Sequence, residues 1–317
     1  METKVSKNIT NAKAINAVKP STLDELATND MNYKGISSDI EHVKNLTMNH
    51  AMVVPHARGK SGKSTISRLI VECATVAGIP MRYSDADPSN VGLKETYLDA
   101  ISPESANPQD LVAHTRAEIE EFIDGNASCL IDYGAGNPTF EACLQEIDLS
   151  RFVKEHNKRL LVFCLLGPTR GDLSYIDEFL RHRSLSAADV ILCFNEGLTE
   201  RGCEIQAFEP CLEAPQVRSA LERGARLIRL PRLHPAERIE ILGLTYLDAA
   251  LRRPNSAGRR LGALDAGITA QWLRQLPQAF APIRDWMDFA PVEELVTAME
   301  AQLAARVAAR ADRGAVA

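Results

Sequence analysis

The sequence predicts an α/β fold, with a doubly wound and mostly parallel sheet that has helices on both faces. Three observations support this prediction. Strand-like and helix-like segments alternate from His50 onward, which is typical of a parallel sheet covered on both sides. The segment 159–167 (RLLVFCLLG) has the continuous apolar character of a strand buried on both faces. A turn-rich segment at 57–62 that contains glycine connects the first strand to the first helix.

The elements follow in order along the chain. The first strand includes 52–54, and a helix begins at Ile66 and ends at Gly78, a residue that commonly stops helices. Further strands are predicted at 79–85, 127–132, 159–167, 189–195 and 225–231. Helices are predicted at 111–123, 140–156, 173–183, 234–253 and 291–310. We therefore expect a sheet of six strands, most of them separated by helices.

Three regions are predicted. Residues 1–48 are polar and rich in Lys, Asn and Ser, so we interpret them as a flexible extension. An arm that binds a partner is the alternative for this region. Residues 49–250 contain the alternating pattern and form the main domain. Residues 251–317 form a helical segment that packs on the core or in a dimer.

The charge is unevenly distributed. The formal net charge is −6, which excludes a protein whose whole surface binds nucleic acid. From Arg218 to the C-terminus, however, there are 15 arginines, no lysine and 11 acidic residues. This basic third of the chain indicates DNA or an acidic partner. Four of its arginines flank one loop, and ordinary surface charge is the alternative for them: Arg252, Arg253, Arg259 and Arg260.

The cysteines and the hydropathy pattern predict a cytoplasmic protein. The seven cysteines are scattered, and none forms a close pair suited to zinc or redox chemistry. Buried free thiols in a reducing compartment are the expected state. The sequence has no apolar run long enough for a membrane span, and its N-terminus lacks the apolar core of a secretory signal.

The segment 52–65 (MVVPHARGKSGKST) has the layout of a phosphate-binding loop, or P-loop. In such a loop, backbone N–H groups and a helix N-terminus surround phosphate oxygens. Lys63 would supply a point charge, and the Ser64 hydroxyl would bind magnesium. The glycine expected five residues before Gly62 is replaced by Ala57. The predicted nucleotide contacts in this loop are Gly59, Lys60, Ser61, Gly62, Lys63, Ser64 and Thr65.

Polar side chains also occur where three later strands end. Asp85 and Asp87 follow the second strand, Asp132 ends the third, and Asn195 ends a later one. Ligands bind at the carboxyl ends of strands in such sheets, so these residues are expected near the P-loop. Asp132 would hold magnesium directly or through water. Capping of a turn is the alternative for Asp87, and a turn at the strand end is the alternative for Asn195.

The motifs RGKSGKST, SDADPSN, LIDYGAG and CFN, in this order and spacing, resemble those of the deviant-Walker-A ATPases, the ParA/MinD family. The resemblance covers roughly residues 50–250. It implies a homodimer that closes face to face around two ATP molecules. The family has a lysine that crosses to the partner's phosphate, and this chain has Arg58 at that position. The second glycine of the family's loop is Lys60 here.

The resemblance also implies roles for the residues that match the motifs. Lys63 would bind the β- and γ-phosphates, and Thr65 would contact the α-phosphate. The magnesium ligands would be Ser64 and Asp132, with Asp85 orienting a water bound to the metal. These assignments make ATP and Mg²⁺ the expected cofactors.

Three further roles concern hydrolysis and the base. Asp87 would position the attacking water, and Arg58 would act across the dimer as an arginine finger. Asn195 would read the adenine, with Pro231 close to the base. Together with Lys63, Arg58 and Asp87 are the predicted catalytic residues.

The predicted function is an ATP-driven switch with slow hydrolysis that a protein partner stimulates. The stretches LIDYGAGNPTFEACL and FNEGLTERG favour the plasmid-borne ATPases of conjugative transfer and mobilisation, of the TraL or MobD kind. A plasmid partition complex is an equal alternative. A small-molecule kinase or ligase with the same fold is another possibility. Ala57 and Lys60 also leave open a module that binds nucleotide without hydrolysing it.

Overall fold

Six parallel strands form one sheet in the part of the chain that the computed structural model describes, which is residues 50–87, 92–134 and 139–315. The strands are β1 (Ala51–His56), β2 (Met81–Ala86), β3 (Ser128–Tyr133), β4 (Arg159–Leu166), β5 (Asp189–Asn195) and β6 (Arg226–Leu230). Their order across the sheet is β2-β3-β1-β4-β5-β6, and every neighbouring pair is parallel. The carboxyl ends of all six strands therefore lie along one edge.

Helices connect the successive strands and follow the last one. They are α1 (Lys63–Ala77), α2 (Gly92–Thr96), α3 (Pro108–Asp124), α4 (Thr139–Glu146), α5 (Leu149–Glu155), α6 (Arg170–Leu180), α7 (Glu204–Leu212), α8 (Pro215–Glu222), α9 (Ala236–Ile241), α10 (Tyr246–Ala250), α11 (Ala263–Phe280) and α12 (Val292–Ala315). Short 3-10 turns lie at Arg183–Leu185, Glu196–Leu198 and Ala281–Trp286.

The two faces of the sheet bury separate apolar cores. Val53 of β1 belongs to the core under α1 and the C-terminal helices, together with Leu69 and Trp272. The next residue, Val54, points to the opposite core under α3 to α8, where Phe122 is fully buried. This alternation is what a strand covered on both faces requires. It confirms the predicted α/β fold, a parallel sheet with helices on both faces and a helical C-terminal part.

Two of the predicted helices are interrupted, so the prediction of continuous helices there is wrong. The segment 140–156 divides because Asp148 caps α5, its side chain accepting a hydrogen bond from the N–H of Arg151 at 3.3 Å. The segment 234–253 divides after α9, where Gly243 has a φ of 58° and ends the helical path. Helices α2, α7, α8 and α11 were not predicted from the sequence.

The C-terminal helices pack on the main sheet and on the P-loop helix. Helix α11 contacts β6 and α10, and α12 contacts α1. On α12, Met299 is fully buried, whereas Val307 is exposed. The predicted extension at 1–48 lies outside the described residues, as do 88–91 and 135–138.

The cysteines are free thiols, and six of the seven are buried; Cys203 is exposed. No helix among the described residues is both long enough and apolar enough to cross a membrane.

Candidate functional site

The loop at 57–62 leads from β1 to the N-terminus of α1, as the sequence predicts for a P-loop. Gly62 is the N-cap of α1 and has a φ of 94°, in the left-handed region where a side chain is strained. A Cβ at Gly62 would also collide with the amide nitrogen of Asn195. Both constraints favour glycine. The first N–H groups of a helix have no partner within it, so this N-terminus is suited to an anion.

Lys60 keeps the backbone conformation that a glycine would adopt. Its φ is 63°, and it stands where the resembled family has glycine. A residue other than glycine in this region costs about 1 kcal/mol. The loop therefore retains its turn despite the substitution and places one more cation beside the helix N-terminus.

A cavity of about 360 Å³ lies at the N-terminus of α1. Its wall combines three cations, three carboxylates and the P-loop backbone. The lining residues are Arg58, Lys60, Ser61, Gly62, Lys63, Ser64, Thr65, Asp87, Leu93, Asp132 and Glu240. We call this space the phosphate cavity. It brings together most of the residues predicted for phosphate and metal binding.

Asp132 is the last residue but one of β3, lies on the wall of the phosphate cavity and is almost fully buried. Burial raises the pKa of Asp132 to about 6, and the charges of Asp85 and Asp87 also raise it. The nearby ammonium group of Lys63 opposes this shift. A further cation next to Asp132 would favour its ionised form.

Asp85 is placed differently from Asp132. One of its carboxylate oxygens accepts the backbone N–H groups of Leu93 at 3.1 Å and Lys94 at 3.0 Å, and the other accepts that of Asp87 at 3.4 Å. Burial raises the pKa of Asp85, and these three N–H groups oppose the shift. Asp85 does not line the phosphate cavity. Its carboxylate instead anchors the first turn of α2.

Asp87 lies over the end of β3 and lines the phosphate cavity. A Cβ at Gly134 would lie 2.7 Å from Oδ1 of Asp87, closer than a Cβ normally comes to an oxygen. The absence of a side chain at Gly134 therefore allows the two strand ends to approach. Gly136, which the sequence also places in this loop, lies outside the described residues.

Arg58 forms an ion pair with Asp172, with 3.6 Å between Nη1 and Oδ1. Asp172 also accepts a hydrogen bond, at 2.6 Å, from the hydroxyl of Thr169, the N-cap of α6. The Arg58 side chain is 52 % exposed, whereas that of Asp172 is 11 % exposed. Arg58 thus lines the rim of the phosphate cavity, and α6 of the same chain holds its guanidinium. An exposed pair of this kind contributes little to stability and can exchange partners.

His56, at the end of β1, attaches the P-loop to α6. Its ring stacks on those of Phe179, 3.5 Å away between centroids, and Tyr175, 4.9 Å away. Burial lowers the pKa of His56 to about 3, and the charge of Lys63 contributes to this shift. A neutral, stacked imidazole is a packing group, so His56 positions the loop.

A second cavity of about 300 Å³ adjoins the phosphate cavity at the ends of β5 and β6. The two cavities share Lys60, Gly62 and Thr65 in their walls. The remaining wall contains Asn195, Pro231 and several neighbours: Gly197, Leu198, Leu230, Arg232, Leu233, His234, Ala236 and Glu237. We call this space the base cavity, after the base contacts that the sequence analysis predicts for Asn195 and Pro231.

Both ends of the Asn195 amide are engaged within the chain. Nδ2 donates to the carbonyl oxygen of Ser61 at 2.9 Å, and Oδ1 accepts from the N–H of Gly197 at 2.9 Å. These are the bonds of the turn alternative, and they also tie the P-loop to β5. Contact between Asn195 and a base stays a prediction, which would use the second N–H or the second lone pair of the amide.

Sequence reasoning missed three acidic residues of the site. Glu240 lines the phosphate cavity, Glu237 lines the base cavity, and Asp172 holds Arg58. Asp172 lies six residues beyond the end of β4, in the first turn of α6, whereas Asp85 and Asp132 were identified because they lie within the ends of their strands. Glu237 and Glu240 lie one helical turn apart on α9. The sequence predicts a helix at these positions. It does not show which face of that helix meets the P-loop, because this depends on the break at Gly243.

The oxygen groups at this edge fit magnesium. Asp132 and the Ser64 hydroxyl line the same cavity, and the carboxylates of Asp85 and Asp87 are close enough to raise the pKa of Asp132. In the described part of the chain, no three acidic, His or Cys side chains converge to hold a metal by themselves. Magnesium typically uses one or two carboxylates, with phosphate oxygens and water completing the shell. The site is therefore suited to a metal that binds together with phosphate.

Replacing Asp132 by Asn is expected to stabilise the ligand-free protein at pH 8. The pKa of Asp132 is higher in the folded chain (about 6) than its ordinary value of 3.8. The free energy of unfolding therefore falls as pH rises from the lower value to the higher one. The amide removes this cost, which we put at about 3 kcal/mol. Urea unfolding at pH 8 and pH 3.5 measures it, because the gain should disappear at the lower pH.

The matched control is Asp124→Asn, on the exposed end of α3, which should change the unfolding free energy little. An Asp132→Asn variant no more stable than the wild type at pH 8 would contradict the assigned burial cost. The same variant should also lose the dependence of ligand binding on magnesium.

Comparisons with known proteins do not assign a function to the site. No family model matches the chain, and no curated protein matches it. Among solved structures, it is similar to the crystal structure of FlhF in complex with GMPPNP and Mg²⁺. The identity is 10 %, the match covers 58 % of this chain and 75 % of that chain, and the TM-score is 0.28. The α/β fold of this chain is shown by its own parallel sheet and by the loop between β1 and α1.

Proposed function

We propose that the chain binds a nucleoside triphosphate with magnesium, and that it works as an ATP-driven switch of the ParA/MinD kind. One observation carries the proposal. The phosphate cavity joins the N-terminus of α1, with Lys63 and Ser64, to the buried carboxylate of Asp132. Helix N–H groups and a lysine bind phosphate, while a serine hydroxyl and a carboxylate bind magnesium.

The two adjoining cavities support a division of the nucleotide. The phosphates would occupy the phosphate cavity, with Lys63 at the β- and γ-phosphates and Thr65 at the α-phosphate. The purine would lie in the base cavity beside Pro231. Lys60, which lines both cavities, would reach the phosphates where they join the nucleoside. Magnesium, when bound, would neutralise phosphate charge beside Ser64 and Asp132.

Hydrolysis would depend on Asp87, which lines the phosphate cavity and would position the attacking water. Asp85 lies outside the lining of the phosphate cavity, and its carboxylate already accepts three backbone N–H groups. Its present bonds favour a second candidate function, a module that binds nucleotide and does not hydrolyse it. The release of phosphate separates these two candidates.

Dimerisation would bring Arg58 into action. Its half-exposed guanidinium lies at the rim of the cavity, where a second copy would approach face to face. We propose that ATP closes such a homodimer, that Arg58 then leaves Asp172 for the partner's phosphate, and that a protein partner accelerates hydrolysis. Transfer or mobilisation of plasmids, as in TraL- or MobD-like proteins, and plasmid partition remain the proposed settings.

DNA binding would use the basic loop after α10. Arg253 pairs with Asp248 at 3.0 Å, and Arg252 donates to the carbonyl oxygen of Leu261 at 3.4 Å. Arg259 and Arg260 are exposed. We therefore assign any non-specific DNA contact mainly to Arg259 and Arg260, with an affinity that falls steeply as salt rises.

Light scattering with Mg·ATP tests the switch. The wild type should pass from monomer to dimer and return as ATP is consumed. Asp87→Ala should stay dimeric for much longer, because hydrolysis is expected to slow by about 100-fold without a positioned water. Phosphate release is measured in parallel. A wild type that binds ATP but stays monomeric would contradict the switch, and tight binding with no phosphate release would favour the non-hydrolysing module.

A further inference from the structure

One face of the P-loop helix is attached to the turn before α10. Residues 65, 68 and 72 follow one another at helical spacing on α1, and each contacts the segment 244–247. Glu72 accepts the N–H groups of Tyr246 at 2.8 Å and Leu247 at 2.6 Å. Arg68 donates to the carbonyl oxygen of Leu244 at 2.6 Å. The turn is thereby fixed to α1.

Tyr246 continues this attachment to the first turn of α1. Its hydroxyl donates to the carbonyl oxygen of Thr65 at 3.2 Å, and Thr65 lines both the phosphate and the base cavity. The Arg68 guanidinium lies 5.2 Å from the centre of the Tyr246 ring. Tyr246 is 2 % exposed and is not among the residues that line either cavity. An effect of Tyr246 on binding therefore acts through residues that it contacts, and Thr65 is one of them.

Trp272 of α11 connects the same tyrosine to the other side of the base cavity. Its ring centre is 5.1 Å from that of Tyr246, and its Nε1 donates to the carbonyl oxygen of Pro231 at 2.8 Å. Trp272 is also 2 % exposed. Pro231 follows β6 and lines the base cavity. A continuous buried path therefore runs from Thr65 through Tyr246 and Trp272 to Pro231.

We propose that Tyr246 and Trp272 are positioning residues that set the distance between the Thr65 and Pro231 walls of the nucleotide site. Through them, the binding of nucleotide would also change the position of helix α11. We call this pair the aromatic bridge. The proposal rests on the proposed function, because it takes nucleotide as the ligand of the two cavities. A shift of the first turn of α1 on binding would move the Thr65 carbonyl, and with it the rings of the bridge. Movement of helix α11 would then alter the C-terminal surface when nucleotide is bound.

The two tryptophans of the chain allow a direct test. Trp286 lies at the opposite edge of the sheet, 3.9 Å from the guanidinium of Arg226 at the start of β6. Trp286→Phe therefore leaves Trp272 as the sole fluorophore and leaves the site intact. In this variant, saturating Mg·ATP or Mg·GTP should shift the emission of Trp272. An emission spectrum that stays unchanged, when calorimetry shows the nucleotide bound, would overturn the coupling.

The positioning role is tested by variants of the bridge. Tyr246→Phe removes only the hydrogen bond to Thr65 and should weaken nucleotide binding by roughly threefold to tenfold. Trp272→Phe should weaken it similarly through Pro231, whereas Trp286→Phe should bind as the wild type does. A purely structural role would instead lower the melting temperature without ligand and leave the affinity of the folded protein unchanged.

The outcomes separate the inference from the proposed function. If the wild type binds no nucleoside triphosphate, both are wrong. If the wild type binds and both bridge variants bind with equal affinity, only the aromatic bridge is wrong. Weaker binding by Tyr246→Phe at an unchanged melting temperature supports it.

Discussion

Lys63→Ala is expected to weaken nucleotide binding by about 100-fold or more, because it removes the charge-assisted hydrogen bonds to the phosphates. Lys63 lies in the first turn of α1 on the wall of the phosphate cavity, and its charge opposes the raised pKa of Asp132. Without Lys63, the negative charge of Asp132 would meet the phosphates with less compensation. Titration with a fluorescent ATP analogue in the presence of magnesium measures the loss.

The matched control for this prediction is Lys154→Ala on α5, where the lysine is exposed and lies on the opposite face of the sheet from α1. Its affinity should equal that of the wild type. If Lys63→Ala retained the wild-type affinity while remaining folded, the phosphate cavity would not be where nucleotide binds. The thermal unfolding curves of both variants establish that they are folded.

Arg58→Ala is expected to slow ATP hydrolysis by the dimer by about 1,000-fold, the range seen for arginine fingers, with a much smaller effect on ATP binding. The reason is geometric. Arg58 is held at the rim of the cavity by Asp172 of its own chain, and its half-exposed guanidinium could exchange this ion pair for a phosphate that a second copy brings to the rim. Arg58→Lys should recover part of the rate, because a lysine keeps the charge and loses the forked donors. Steady-state phosphate release at saturating ATP measures both variants.

Arg181→Ala is the control for Arg58. Arg181 follows the last residue of α6 and forms an exposed ion pair, at 2.5 Å, with Asp177 one helical turn earlier. It should hydrolyse ATP at the wild-type rate. Should Arg58→Ala dimerise and hydrolyse normally, the proposed role across the subunit interface would have to be abandoned. The Asp172 ion pair would then be a surface contact with no part in turnover.

The sheet and the P-loop could be predicted because their signals are local. An apolar run such as that of β4 has few other ways to be buried, and glycine at position 62 permits the backbone turn that starts α1. The carboxylates at the strand ends were also found in this way. Parallel strands bring their carboxyl ends to one edge, so the position of a residue in its strand predicts its neighbours.

The partners of those polar groups could not be predicted, because they come from distant segments of the chain. Asp85 is bound by backbone N–H groups of α2, and Asn195 by the backbone of the P-loop. No side-chain pattern marks a backbone group that folds back onto a carboxylate or an amide. Asp172 was missed for a related reason, since its importance appears only when the direction of the Arg58 side chain is known.

At Lys60, the sequence shows the substitution, and the structure shows its effect on the loop. The sequence shows a lysine where the resembled family has glycine, which leaves the conformation of the loop uncertain. The φ of 63° shows that the backbone keeps the turn, and that the extra cation lies in the walls of both cavities. A departure from the motif thus adds charge to the site and leaves its shape intact.

Isothermal titration of the wild type with ATP and with GTP, each with and without magnesium, tests the central claim most directly. We expect one nucleotide per chain, binding that depends on magnesium, and preference for ATP. The phosphate cavity and the carboxylate of Asp132 are the reason for the first two results. Absence of binding heat with either nucleotide, under conditions where the protein is folded, would contradict the claim that this edge of the sheet is a nucleotide site.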